Sequence, residues 1–77
     1  MKTISEHLGE RLKFLRQQKH LTVTDVAAAA GMTTRSYIIY ESGQSNPVFK
    51  NLYALAEYFN VSLDYLAGRT FNKQVNR

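Results

Sequence analysis

The sequence predicts an all-α fold, a compact bundle of about five short helices, on three observations. Apolar residues recur three and four places apart in successive segments. Thr-x-x-acid patterns, the mark of a capping box, stand at Thr3–Glu6 and Thr22–Asp25. No alternating strand pattern, internal repeat or low-complexity stretch occurs. A length of 77 residues predicts one domain, near the size where a single core supplies only about 3–5 kcal/mol.

Each element has its own justification. The first helix starts after Thr3 and runs to about Lys19, with Ile4, Leu8, Leu12 and Leu15 as its inward stripe. The second, opened by Thr22, carries Val23, Val26, Ala27 and Ala30, small enough for another helix to cross closely. Gly31 can take the left-handed conformation that stops it without strain. Thr33 caps a third helix over residues 33–41, whose inner side is set by Met32, Tyr37 and Tyr40 and whose stop is Glu41-Ser42-Gly43. Asn46-Pro47 announces a fourth, since Asn caps well and Pro suits the first helical position. Its buried stripe is expected to be Phe49, Leu52, Leu55, Ala56 and Phe59, with Asn60 as its end. Ser62 caps a short fifth helix bearing Leu63 and Leu66, closed by Gly68. The folded domain is therefore expected over 1–68, and the polar, basic residues 69–77 as a flexible tail.

The formal net charge is +4 and the isoelectric point about 9.6, a balance that favours polyanionic partners. There is no cysteine, so no disulfide and no thiolate nucleophile or metal ligand, in keeping with a reducing cytoplasm. No apolar run reaches the ~18–20 residues that span a bilayer, and no signal-peptide pattern opens the chain. The expected localisation is cytoplasmic, with no membrane partner. His7 and His20 have no carboxylate cluster beside them, so no metal site is expected, nor any cofactor or small-molecule ligand. Ser, His and Asp are present, but none stands in a nucleophile motif, and the chain does not read as an enzyme.

A close-crossing helix pair with glycine in its turn is the arrangement that sets a second helix into the DNA major groove. Residues 8–68 resemble the DNA-binding domain of the Cro and phage-repressor type, the Xre family. The matching pieces are Leu8-Gly9-Glu10-Arg11-Leu12, Leu15-Arg16, Leu21-Thr22, Ala27, Gly31, Tyr40-Glu41, Gly43, Asn46-Pro47, Leu52, Leu55-Ala56, and Val61-Ser62-Leu63-Asp64 with Leu66. This resemblance implies a lambda-repressor-like fold. It implies a sequence-specific transcriptional regulator, above all a repressor, binding double-stranded DNA at a palindromic operator as a homodimer. Compact members of this type are typical of phages, prophages, mobile elements and small bacterial operons. By the same resemblance Thr34, Arg35, Ser36 and Ile39 match positions that meet base edges, and Thr33 one that meets the backbone. Arg16 and Glu41 match a pair that ties the first helix to the end of the recognition helix.

The residues themselves sharpen this. With Met32, Tyr37 and Tyr40 turned inward, Thr33, Thr34, Arg35, Ser36, Ile38 and Ile39 face outward. Arg35 suits guanine best, because its fork can bond O6 and N7 together. Phosphate contacts are expected from Thr22, Val23 and Thr24, from the loop Gln44, Ser45 and Asn46, and from Lys50. The family's Gln in place of Val23 and its basic loop residues are missing, leaving Lys50 and the tail cations Arg69, Lys73 and Arg77 to compensate. Ser or Thr usually follows the proline where this chain has Val48.

Ile38 and Ile39 depart from the polar residues common in the family. Adjacent helical residues sit ~100° apart, so both cannot face the core. Three readings stay open: contact with a thymine methyl, a protein-docking patch, or Ile39 tucked beside Tyr40 with Ile38 an ordinary exposed residue. The docking patch would make the chain an interaction module on the same scaffold, such as an antitoxin or anti-regulator. Phe14, Tyr53, Tyr58 and Tyr65 are expected to be exposed, and aromatics near the last two helices suit a dimer face.

Overall fold

The computed structural model describes residues 1–75. Five helices follow one another without a strand among the described residues: α1 (Ile4–Gln18), α2 (Val23–Ala29), α3 (Thr34–Glu41), α4 (Phe49–Phe59) and α5 (Leu63–Leu66). Helix α1 is the central post, packing on α3 and α5, while α2 packs on α3 and α4 on α5.

Local chemistry sets the ends. Both expected capping boxes form: Thr3 Oγ1 accepts from the Glu6 N–H and Thr22 Oγ1 from the Asp25 N–H, while each acid accepts from its threonine's N–H. Gly31, at φ +74°, lets its own N–H and that of Met32 reach back to the carbonyls of Ala28 and Ala27, which closes α2 with the last carbonyls satisfied. Helix α1 closes in the same manner through His20, at φ +57°, a left-handed residue no glycine marks.

One layer of buried side chains fills the centre: Leu8, Leu12 and Leu15 from α1, Val26 and Ala27 from α2, and Tyr37 and Tyr40 from α3 meet Leu55, Ala56, Phe59, Val61, Tyr65 and Leu66. Four expectations need correction. Ile4 is 63% exposed, because the first turn of α1 projects past the bundle and only its later turns meet neighbours. Phe49 is 68% exposed for the corresponding reason at the start of α4. That helix begins at Phe49 with Val48 in the capping position and no side-chain cap, not with Asn46. Tyr65 is buried, under the guanidinium of Arg11, which lies 4.3 Å from its ring centroid.

Arg11 also organises the segment after α5. Its Nη1 donates to the carbonyls of Tyr65 and Thr70 at 3.3 and 3.1 Å, and the guanidinium carbon also lies 5.1 Å from the Phe71 ring centroid. The N–H of Ser62 donates to the Lys73 carbonyl at 2.9 Å, and Lys73 Nζ sits over Phe14. Residues 69–75 thus lie back along α1 and α5. Arg77, counted among the tail cations, lies outside the described residues.

Candidate nucleic-acid interface

The side chains proposed to meet DNA are only as well placed as α3, so what holds that helix comes first. Its inner side is sealed by Tyr37 and Tyr40, and the Tyr40 hydroxyl accepts from Asn51 Nδ2 of α4 at 3.0 Å. Its C-terminal end is held by a two-pronged ion pair. Arg16 Nε donates to Glu41 Oε2 at 2.9 Å and Nη2 to Oε1 at 2.7 Å, while Nη1 donates to the Leu21 carbonyl at 3.0 Å. One guanidinium therefore joins α1, the turn before α2 and α3. The side chains of Arg16 and Glu41 are only 17% and 10% exposed, so this pair is worth more than a surface bridge. The Glu41 carboxylate raises the Arg16 pKa. Beneath the pair, burial pushes the Tyr37 phenol well above the usual range, and its hydroxyl has no hydrogen bond of good geometry.

Gly9 completes the clamp. A Cβ there would stand 2.5 Å from the Glu41 carbonyl oxygen and 3.0 Å from the Gly43 nitrogen. Only a residue without a side chain lets α1 touch the end of α3 this closely. Gly9 lay in the motif, but the reason for it is visible only when the two backbones are seen together.

The outward side of α3 is open. Thr33 caps the helix, accepting from the Ser36 N–H at 3.1 Å, and its hydroxyl donates to Ser36 Oγ at 2.9 Å. Both hydroxyls are thus engaged with each other. Thr34 is half-buried and Arg35 is exposed, with no ion pair among the described residues. Ile38 is 48% exposed. Ile39 is half-buried, and its carbonyl accepts from Ser42 Oγ at 2.6 Å.

The expected phosphate-contacting residues divide. Thr22, Thr24, Gln44, Asn46 and Lys50 are exposed, Ser45 is half-buried, and Val23 packs down on the core. Thr22 is committed to its capping box, where its N–H holds the Asp25 carboxyl below the usual carboxylate range. Val23, Ile38, Glu41 and Ser42 come together with Lys13 of α1 around one shallow recess. Lys13 had no signal in the sequence beyond being a lysine on the outer side of the first helix. Among the described residues no group of three or more His, Cys, Asp or Glu side chains is placed to hold a metal ion. No helix among them is long and apolar enough to cross a membrane.

Comparison with known proteins agrees with this geometry. A family described as a helix-turn-helix domain matches residues 9–69. An uncharacterized HTH-type transcriptional regulator of Bacillus subtilis, YqaE, is 39% identical over 67 residues, which are 87% of this chain and 58% of that protein. The cryptic phage CTXphi transcriptional repressor RstR of Vibrio cholerae is 37% identical over 62 residues, 80% of this chain and 55% of its own length. The chain thus spans a little over half the length of these curated relatives. Among solved structures, the restriction-modification controller protein C.AhdI from Aeromonas hydrophila superposes with a TM-score of 0.74 at 27% identity, covering 80% of this chain and 94% of that one.

Proposed function

The chain belongs to the helix-turn-helix domain family, in its Cro and phage-repressor branch, and from that premise we propose that it is a sequence-specific DNA-binding transcriptional regulator acting in the cytoplasm. It binds a palindromic operator as a homodimer, with α3 entering the major groove of half-sites ~34 Å apart. Repression follows where the operator overlaps a promoter and the bound dimer blocks polymerase. Arg35 reads a guanine and Thr34, Ser36 and Ile39 line the same groove, while Thr33, the exposed residues around Thr22 and Thr24, the 44–46 loop and Lys50 meet phosphates.

The observation that carries this reading is the exposed Arg35, without an ion pair among the described residues, in the first turn of a helix whose far end is fixed by the Arg16–Glu41 fork. A rigid helix presenting a free guanidinium fork is what direct readout requires. The test is selection of binding sites from random duplexes at low salt, followed by gel shifts. One enriched, two-fold symmetric sequence is expected. Arg35→Ala should relax preference at one base pair by ~1–3 kcal/mol. Lys50→Ala should weaken binding to all sequences and lower the salt slope by about one. Absence of any enriched sequence would overturn the proposal.

A further inference from the structure

We propose that Ile38, with Val23 beside it and Lys13 at the rim, is a reader of a pyrimidine 5-methyl group, gripping the methyl and a phosphate of the same strand together. This rests on the DNA-binding reading above and deepens it. Ile38 is the large apolar side chain that α3 leaves exposed. It shares its recess with Val23, which is packed on the core and so forms a fixed wall. The recess also holds one carboxylate and one ammonium. The Glu41 carboxylate is taken up by both prongs of Arg16. Lys13 makes no ion pair among the described residues, so its charge is the one left to act outward.

An aliphatic seat beside a free cation fits one feature of duplex DNA. In the major groove the 5-methyl of a pyrimidine projects along the groove wall toward its own strand's backbone, whereas the purine acceptors lie on the floor. A side chain on that methyl has a phosphate of the same strand as its neighbour, and Lys13, which lines the same recess as Ile38, is the cation that would neutralise it. A protein partner fits less well. Docking patches need contiguous apolar surface of a few hundred Å², and here two aliphatic side chains sit among Lys13, Glu41 and Ser42. The larger exposed apolar cluster, Val48, Phe49 and Tyr53, belongs to the start of α4. The methyl can come from thymine or from 5-methylcytosine, which present the same group at the same place.

The experiment takes the duplex selected by the whole chain and replaces each thymine in turn by deoxyuridine, which lacks only the methyl. In a parallel series each cytosine is replaced by 5-methylcytosine. At one position per half-site, affinity should change about fourfold with the methyl, the size expected for burying one methyl-sized group. The series in which the change appears identifies its source. In Ile38→Ala that position should become indifferent to the methyl, while Ile38→Val retains most of the preference. Lys13→Ala should weaken binding and lower the salt slope by about one, leaving the methyl preference intact. A selected sequence with no methyl-sensitive position, or a sensitivity that persists in Ile38→Ala, overturns this inference and leaves the DNA-binding function standing. If no sequence is selected at all, that function fails and the inference falls with it.

Discussion

The C-terminal end of α3 and the N-terminal end of α4 stand on either side of one short loop, yet they are built by opposite means. The end of α3 is clamped: Arg16 grips Glu41 with two hydrogen bonds, Gly9 brings α1 within a missing Cβ of the Glu41 carbonyl, and Gly43 turns away at φ +80°. The start of α4 has no side-chain cap, its first residue Phe49 is exposed to solvent, and it is tied to α3 by a hydrogen bond from Asn51 to the Tyr40 hydroxyl. A recognition helix has to keep its tilt if base contacts are to be reproducible. The loop beyond it is proposed to meet phosphates, which repeat along the strand and tolerate adjustment. Rigidity is concentrated in the helix proposed to read sequence.

The strongest way to break this contrast is to fill the clamp. In Gly9→Val the new side chain meets the backbone atoms of Glu41 and Gly43, neither of which can rotate aside. Overpacking of that kind costs about 3 kcal/mol at the upper end of its usual range, most of the stability expected for a domain this size. Urea unfolding should show it, and an unchanged midpoint would mean that the close approach of α1 and α3 is not needed. A milder probe is Glu41→Gln, which keeps shape but leaves the shielded Arg16 guanidinium without its carboxylate. A loss of about 2 kcal/mol is expected, below the figure for a fully buried pair because both side chains retain some exposure. A loss under about 0.5 kcal/mol, the level of an ordinary surface bridge, would place the clamp in its packing alone.

Much of this contrast was legible in the residues, and the remainder was hidden for physical reasons. Helix order, both capping boxes and the Gly31 turn follow from short-range rules, because the partners lie within a few positions of each other. The Arg16–Glu41 pair was available only through resemblance, since no local pattern joins residues so far apart. Periodicity puts Ile4 and Phe49 on buried stripes because it reports which side of a helix faces inward, not how far along its length neighbours extend. Nothing local to Tyr65 tells that Arg11 and the segment after α5 cover it. Likewise no spacing rule brings Lys13 next to Ile38: they share a recess because α1 and α3 cross there. The left-handed residue that closes α1 is a histidine, and so carried no glycine signal.

The smallest effect tests the weak side of the comparison. Val48 occupies the capping position of α4 in extended conformation, φ −64° and ψ 154°, with no side chain able to accept from the first free N–H groups. The four other helix starts, at Thr3, Thr22, Thr33 and Ser62, all use a hydroxyl in this role from the same extended backbone conformation. A serine at residue 48 would find the geometry already made, and its Oγ would accept from the Asn51 N–H, which now has only the Val48 carbonyl at 3.0 Å. Val48 is exposed, so little packing is lost in the exchange. Val48→Ser should therefore stabilise the chain by about 0.5–1 kcal/mol, a small rise in melting temperature readable by circular dichroism. No gain, or a loss, would show that the exposed valine already contributes as much as a cap would, and that the start of α4 is less loosely held than its hydrogen bonds indicate.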